Sequence, residues 1–323
     1  MRLVRSPSAP SRQKQSRYLL NIRSLEHLAQ RLSCPLEILK NVAEYLALHY
    51  DATRLREKSD GGTVREIDAP RSLLKKVQRR INACLLGDLW LPDSIHAYRV
   101  GRSARTAVVP HEGRRFLWVA DIRHFYPSIS HSAVYKIFCE LGCAPDVARL
   151  LTRLTTHKHR LPQGAPTSPG LANLYLRFSK ITARLDGLAR KHRLRVTFFG
   201  DDILISGERP FGGLQKHITR IITSSGLKLH PLKTLGMVGP RERHQALGII
   251  LNSSGEHLDV PRSYRRKLRT LLRACRRHGP DALAMYGVVT KDPRAYLRGK
   301  IAFAAYVNPK NGAFLEELKQ IAW

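Results

Sequence analysis

The spacing of apolar residues along the chain predicts a series of amphipathic helices. In residues 34–50, apolar side chains recur every three or four positions, which is the period of one helix face, at Leu36, Leu39, Ala43, Leu46 and Tyr50. The same criterion predicts helices over residues 71–89, 130–142, 147–157, 170–194, 212–226 and 261–279. We expect residues 1–24 to be unstructured.

Short runs of β-branched and aromatic residues predict the strands. The continuous apolar run in "RRFLWVADI" (114–122) is typical of a strand that is buried on both faces. In "RVTFFGDDILIS" (195–206), two such runs bracket Gly-Asp, which predicts a hairpin. Shorter strands are predicted near residues 63–70, 227–230 and 244–252. This order of elements indicates an α+β core between helical flanks.

Three aspartates occupy ends of the predicted strands. Asp201 and Asp202 lie at the hairpin tip, where adjacent carboxylates raise each other's pKa unless a cation lies between them. Asp121 ends the buried strand. If the fold brings it to the hairpin, the three carboxylates suit two Mg²⁺ ions and phosphoryl transfer, because hard divalent ions prefer oxygen ligands. The alternatives are an acidic turn for the pair and a helix cap for Asp121.

Composition points to a polyanionic partner. The chain has 323 residues, with 56 Lys+Arg against 25 Asp+Glu, a formal charge of +31. Such a surplus favours nucleic acid over an anionic membrane surface. No apolar stretch approaches the roughly 18 residues of a membrane span, and the N-terminal segment, without an acidic residue before Glu26, is interpreted as a basic arm that touches nucleic acid.

The five cysteines are an odd number and are widely scattered, so we expect reduced thiols and a cytoplasmic protein. A zinc site at Cys139, Cys143, His157 and His159 is disfavoured, because one residue between the histidines is fewer than the usual spacing.

Several blocks of the sequence, in order, resemble the signature motifs of bacterial reverse transcriptases, the group that includes retron and group II intron enzymes. The blocks are "VREIDAP" (64–70), "HAYRVGRS" (96–103), "DIRHFYPSI" (121–129), "LPQGAPTSPGLANL" (161–174), "FGDD" (199–202), "LKTLGM" (232–237) and "ALGIILN" (246–252). The resemblance implies a right-hand polymerase fold with fingers, a palm of antiparallel sheet with helices, and a small helical thumb. The expected divisions are an N-terminal arm and helical extension (1–55), fingers (56–116), a palm (117–254, with a fingers insertion near 145–172) and a thumb (255–323).

The resemblance also implies roles for individual residues, position by position. Asp121 and Asp201 would be the principal ligands of two Mg²⁺ ions, or Mn²⁺, with Asp202 assisting and the Ile122 carbonyl as a further ligand. Lys233 would be a general acid for the pyrophosphate leaving group. The residues expected at the incoming nucleotide are Lys58, Arg65, Tyr126, Gln163 and Gly164, Tyr126 being the bulky residue that disfavours a 2′-hydroxyl. The residues expected at nucleic acid are Arg99, Arg102, His111, Phe199, Gly248, Arg265, Arg269 and Arg273.

Within this family the chain is most similar to retron enzymes in block order and in its closing "GKIAFAAYVNP" segment. It departs from the family at Phe199-Gly200, where Tyr-Ala is usual. It departs from retron motifs at "AVVPH", which keeps only His111, and at Ala246-Leu247-Gly248, which keeps only the glycine. A retron enzyme implies dNTPs, a structured non-coding RNA copied into branched single-stranded DNA, and an effector protein in anti-phage defence. Alternatives are a diversity-generating, CRISPR-associated or abortive-infection reverse transcriptase, an RNA-binding scaffold with a vestigial site, and an enzyme of template-independent addition.

Overall fold

A computed structural model describes residues 18–57, 64–231, 234, 236–251 and 258–321. The helices of this part are α1 (Leu25–Leu32), α2 (Leu36–Glu44), α3 (Ser72–Ile81), α4 (Ala104–Val108), α5 (His131–Glu140), α6 (Pro145–Thr155), α7 (Ser168–Phe178), α8 (Ile181–His192), α9 (Gln215–Thr223), α10 (Arg262–His278), α11 (Pro293–Val307) and α12 (Phe314–Lys319). The strands are β1 (Arg54–Glu57), β2 (Val64–Ile67), β3 (Phe116–Arg123), β4 (Arg195–Phe199), β5 (Asp202–Gly207), β6 (Lys228–Leu229), β7 (His244–Ala246) and β8 (Ile249–Leu251).

A four-stranded antiparallel sheet of order β4-β5-β3-β6 forms the centre of the molecule. One of its faces carries Trp118, Ala120 and Ile203, which are buried in the largest hydrophobic core with residues of the surrounding helices. The other face carries Val119 and Leu204, which pack in a separate cluster with α4, β7, β8 and α11. Burial on both faces agrees with the continuous apolar run that predicted β3. The predicted α+β class is confirmed.

Residues 18–24 are not unstructured, contrary to the expectation for this end of the chain. Leu20 and Ile22 are buried in the main core, and the Leu20 amide donates to the Leu141 carbonyl at 2.7 Å. Ser24 then caps α1 by accepting a hydrogen bond from the His27 amide at 3.1 Å. Two apolar side chains in an irregular segment have no period, so pattern analysis does not detect their burial. Residues 1–17 lie outside the described part of the chain.

The helix predicted over residues 170–194 is two helices, α7 and α8. Lys180 has a left-handed backbone conformation (φ 62°) and separates them. The period of apolar residues continues across the break, with Leu176 and Ile181 both fully buried. No glycine or proline marks this position, so the sequence carries no signal for the turn.

Helices α10, α11 and α12 form a C-terminal unit with a hydrophobic core of its own, which includes Leu272 and Ile301. This unit is joined to the sheet through Ala304 and Val307, which pack in the same cluster as Leu204. The Ser103 and Tyr306 hydroxyls are hydrogen-bonded at 2.9 Å across the junction. Among the described residues, none of the helices is long and apolar enough to cross a membrane.

Candidate active site

The register of the central sheet brings two of the three aspartates together. Strand β3 pairs with β5 so that Asp121 lies directly opposite Asp202. The Cβ atoms of directly opposed residues are about 4.5–5.5 Å apart, and their side chains share one face of the sheet. Asp201 lies in the turn before β5, and its carbonyl accepts a hydrogen bond from the Ile122 amide at 2.8 Å. All three aspartates are half-buried at one end of the sheet.

The turn that carries the aspartates depends on a glycine. Gly200 has φ 66°, a left-handed conformation that L side chains adopt only with strain. A Cβ built at Gly200 would lie 3.7 Å from the ring of Tyr98. Tyr98 itself is 64% exposed and also has a positive φ of 55°. An exposed aromatic ring therefore lies against the aspartate turn, and residue-by-residue comparison with family motifs did not single it out.

The chemistry of this end of the sheet fits a divalent ion. Its carboxylates are hard oxygen donors, and those of Asp121 and Asp202 are opposed on one face. Because the amide and carbonyl of a strand residue point to the same side, the Ile122 carbonyl faces the side of the Asp201 turn. Within the described residues, no three His, Cys, Asp or Glu side chains form a preformed metal cluster. A Mg²⁺ ion usually completes its shell with substrate phosphates and water, so the partial donor set is consistent with such an ion.

The Gln163-Gly164 loop packs against the end of β2. The Asp68 amide donates to the Gln163 carbonyl at 2.9 Å. Gly164 has φ 122°, and a Cβ there would approach the Asp68 carbonyl and Ile67 Cγ2 to 3.1 Å each. Only glycine fits this close approach without strain. Two of the sequence blocks, "VREIDAP" and "LPQGAP", are thus in direct contact.

Asp68 holds this junction together. Its carboxylate accepts hydrogen bonds from the Thr53 hydroxyl at 2.7 Å and from Lys158 Nζ at 3.1 Å, and it is only 2% exposed. Burial alone would raise the pKa of Asp68, but the hydrogen bonds from Thr53 and Lys158 outweigh that cost and lower it. The carboxylate is therefore held ionised beside the loop.

Of the remaining residues expected at the nucleotide, only Tyr126 has a described side chain. Tyr126 is half-buried, packs against the main core, and its ring centroid lies 5.7 Å from that of Phe125. Arg65 lies in β2 opposite Arg56, and its side chain is not described. Lys58 and Lys233 lie outside the described residues. His230, three positions before Lys233, donates its amide to the Asp121 carbonyl at 2.7 Å, so this segment begins beside the aspartate strand.

The expectation that His111 contacts nucleic acid is wrong. Its side chain is 1% exposed, and its ring nitrogens lie 2.7 Å from the Ser206 hydroxyl and 2.8 Å from the Thr197 hydroxyl. Burial, with a further contribution from nearby positive groups, lowers the pKa of His111 to about 3. This neutral histidine joins the segment after α4 to β4 and β5. The position of His111 in a family motif does not indicate whether its side chain is buried.

The other residues expected at nucleic acid have varied surroundings. Arg99 is partly engaged, because its guanidinium donates to the Pro92 carbonyl at 3.0 Å. Arg102 is paired with Asp93 at 3.1 Å. Phe199 is half-buried opposite Asp202 on β4. Gly248 follows Leu247 in the two-residue turn between β7 and β8, where both residues have positive φ, as a type I′ turn requires.

Helix α10 exposes most of its arginines. Leu268, Leu271 and Leu272 are buried toward the C-terminal core. Arg273 is exposed, Arg269 lies 5.4 Å over the Phe314 ring, and Arg265 pairs with Asp259 at 2.7 Å. The predicted division into an apolar face and a basic face is therefore present, although Arg265 and Arg269 each have an intramolecular partner.

The comparison with protein families agrees with this geometry. Residues 56–254 match the family of reverse transcriptases, described as RNA-dependent DNA polymerases. The chain therefore belongs to the reverse transcriptase family and is an RNA-directed DNA polymerase. Enzymes of this family depend in general on divalent metal ions.

Within the reverse transcriptase family, the chain is similar to several curated retron enzymes. The chain is 29% identical to the retron Mx65 reverse transcriptase of Myxococcus xanthus, over 93% of this chain and 72% of the relative. It is 26% identical to the retron Mx162 reverse transcriptase of the same organism, over 99% of this chain and 72% of the relative. It is 27% identical to the retron Ec86 reverse transcriptase of Escherichia coli, over 76% of each chain. The resemblance to retron enzymes is thus confirmed.

Proposed function

We propose that this reverse transcriptase is a retron enzyme that copies part of a dedicated, structured non-coding RNA into single-stranded DNA. The similarity to several retron enzymes over most of the chain supports the assignment. The opposed carboxylates of Asp121 and Asp202 are the observation that carries the proposal of an active polymerase. A site retained for scaffolding alone gains nothing from two carboxylates in mutual repulsion.

The architecture is consistent with a right-hand polymerase. In this interpretation the central sheet with α5, α7, α8 and α9 is the palm. The β1–β2 hairpin and the loop at Gln163-Gly164 belong to the fingers, and α10–α12 form the thumb. The contact between Gly164 and the end of β2 supports placing this loop with the fingers, because it joins two segments that are about 100 residues apart in the sequence.

In the proposed mechanism, Asp121, Asp201 and Asp202, with the Ile122 carbonyl, hold two divalent ions. Mg²⁺ ions at such a site stabilise the attacking and leaving oxygens of a phosphoryl transfer. The protein positions the reactants. Gly164 lets the backbone approach the nucleotide, Gln163 lines its pocket, and Tyr126 occupies the space that a 2′-hydroxyl would need.

Positive side chains complete the proposed site. Arg65, with Lys58 seven positions before it in the sequence, would bind the triphosphate, because a guanidinium matches phosphate geometry. Lys233 would donate a proton to the pyrophosphate leaving group. The hydrogen bond between His230 and Asp121 supports this role, since it starts the Lys233 segment next to the catalytic strand.

The proposal extends to priming and partners. DNA synthesis would begin from a 2′-hydroxyl of the same RNA, which gives a branched product, and an effector protein would act with the complex in anti-phage defence. The basic face of α10 would follow the template–primer duplex through phosphate contacts, consistent with the net charge of +31. The wide minor groove of an A-form duplex suits such contact.

Substitution Asp201→Asn, with RNA binding measured in parallel, tests the proposal. We expect DNA synthesis on an RNA template to be lost and RNA affinity to be retained. If neither the wild type nor the variant synthesises DNA while both bind RNA tightly, the chain is an RNA-binding scaffold. Synthesis that ignores the template sequence would instead indicate template-independent addition.

A further inference from the structure

A large cleft runs along the first half of β4, which begins at the end of the β4–β5 hairpin that is remote from the aspartates. It has a volume of about 1280 Å³ and is bounded by residues 90–96, by α4, and by α8 with the first residues of β4. Arg195 opens β4 at this end, and Phe199 closes the strand opposite Asp202. Four strand positions separate the two, which corresponds to about 13 Å along the strand.

The walls of this cleft are strongly basic. Seven arginines and two aspartates line it, a surplus of five positive charges, and its volume exceeds the roughly 300–1,000 Å³ of a small-molecule pocket. Six of the arginines come from three separate parts of the chain: Arg102, Arg105, Arg114, Arg190, Arg193 and Arg195.

Several of these guanidinium groups are not neutralised within the protein. The side chains of Arg193 and Arg195 are exposed and form no hydrogen bond or ion pair with any described residue. The Nε atom of Arg105 is buried without a hydrogen-bond partner in the described part of the chain. A buried donor without a partner is costly unless a ligand or water satisfies it. The cleft is thus suited to a ligand with many anionic oxygens.

An aromatic cluster lies at one edge of the cleft. Trp90 is 40% exposed, and its ring is stacked on Tyr18 with centroids 5.3 Å apart. The guanidinium of Arg177 lies 5.2 Å over the Trp90 ring and donates to the Trp90 carbonyl at 2.9 Å. These contacts hold Trp90 in place while part of its ring faces solvent. Basic grooves with fixed aromatic rings are characteristic of sites for unpaired nucleic acid, in which bases stack on the rings.

We propose that this arginine cleft binds an unpaired segment of the enzyme's own RNA, away from the site of synthesis. The inference rests on the proposed function, which supplies the RNA. Arginines on the α4 side and on the α8–β4 side contact successive phosphates, and Trp90 stacks on one base. The exposed ring of Trp90 favours an unpaired strand, because the bases of a duplex are not free to stack on it. Such an anchor keeps the RNA on the enzyme while another part of it moves through the catalytic site.

The test uses RNA-free full-length protein and a short fluorescent oligouridylate as the probe. The cleft variant is Arg190→Gln with Arg195→Gln, since both side chains are exposed and neither forms a hydrogen bond or ion pair with a described residue. The matched control is Lys216→Gln with Arg220→Gln on α9, which removes the same charge from exposed positions outside the cleft. Affinity is measured over a series of salt concentrations.

We expect the cleft variant to bind the probe roughly tenfold more weakly and to reduce the slope of log K against log salt by about 1.4, since each single-strand phosphate contact contributes about 0.7. The control should keep the wild-type slope. With a 4-thiouridine-labelled probe, crosslinks should fall on the peptide that contains Trp90 and should diminish in Trp90→Ala. Equal slopes for the cleft and control variants, or crosslinks confined to peptides outside the cleft, would overturn the proposal.

Primer extension by the wild type on a polyadenylate template with an oligothymidylate primer is assayed in parallel. If the wild type does not extend the primer, the assignment as a polymerase is refuted. The proposal of RNA binding in the cleft is then decided by the probe affinities alone. If the wild type extends the primer and the cleft variant binds the probe as tightly as the wild type, the cleft is not an RNA-binding site, and the assignment as a polymerase stands.

Discussion

The two ends of the β4–β5 hairpin differ in the sign of their charge and in how they are built. At the aspartate end, strand register places Asp121 opposite Asp202, and a single turn contributes Asp201. At the other end, arginines from residues 102–195 line one wide cleft. The first arrangement concentrates negative charge where a cation and phosphates can meet. The second spreads positive charge over a surface that suits a long polyanion.

Removing charge from the aspartate end should have the largest effect. For Asp202→Asn we expect DNA synthesis on a primed RNA template to fall by at least about 100-fold, because the site loses a ligand of the divalent ion. Affinity for RNA should be unchanged or slightly higher, since a charge that repels phosphate is removed. Single-nucleotide incorporation and filter binding measure the two quantities.

Asp88→Asn is the matched control for that substitution, because Asp88 is exposed and lies outside the strands of the central sheet. It should leave incorporation at the wild-type rate. If Asp202→Asn weakens RNA binding and synthesis equally, the two ends of the hairpin do not have the separate roles assigned to them.

A methyl group at Gly164 should disturb the proposed binding site of the incoming nucleotide. Gly164→Ala places a Cβ 3.1 Å from both the Asp68 carbonyl and Ile67 Cγ2, at a φ of 122° that only glycine adopts readily. We expect a loss of about 1–3 kcal/mol in the free energy of unfolding and a raised KM for dNTPs. Chemical denaturation and steady-state kinetics are the measurements. Gly213→Ala, with open space around its Cβ, should change neither quantity.

His111 joins the two strands of the hairpin, because it bonds to Thr197 in the middle of β4 and to Ser206, which lies opposite Arg195 on β5. Its folded-state pKa is about 3, whereas an unfolded histidine titrates near 6.5. The unfolded state therefore binds the proton first as the pH falls. The free energy of unfolding should decrease below about pH 6.5, by up to about 1.4 kcal/mol per pH unit, until the folded protein is also protonated near pH 3.

Thermal unfolding from pH 7 to pH 4 tests this dependence. His111→Gln should flatten the fall in melting temperature with acid, at the cost of lower stability at pH 7. The exposed His217→Gln should keep the wild-type profile. Since His96 is also buried, with its pKa lowered to about 4, a residual acid dependence is expected in the His111 variant. Identical slopes for wild type and His111→Gln would contradict the buried, neutral assignment.

The smallest effect is expected at the aspartate turn itself. Gly200→Ala has room for its Cβ beside Tyr98 but must adopt φ 66°. We expect a loss of about 1–2 kcal/mol in the free energy of unfolding, with synthesis reduced less than in Asp202→Asn. Gly299→Ala, inside α11 with nothing near its Cβ, should instead stabilise the protein by up to about 1 kcal/mol. A neutral Gly200→Ala would show that the turn adapts without strain.

The sequence predicted the aspartate end better than the arginine end, for a physical reason. Asp121, Asp201 and Asp202 lie in short contiguous blocks next to strands, so local pattern and motif identify them. The cleft depends on side chains far apart in the chain, which only the packing of α4 and α8 against β4 brings together. Sequence also gave no signal for the break at Lys180 or for the burial of His111, because both depend on tertiary contacts.

The most direct test of the central claim is to sequence the nucleic acid that co-purifies with the protein expressed from its native locus, with and without a 2′,5′-debranching step. The account predicts one DNA strand copied from one RNA and joined to it by a linkage that debranching removes. Linear DNA of varied sequence, or RNA without DNA, would contradict the assignment to retrons.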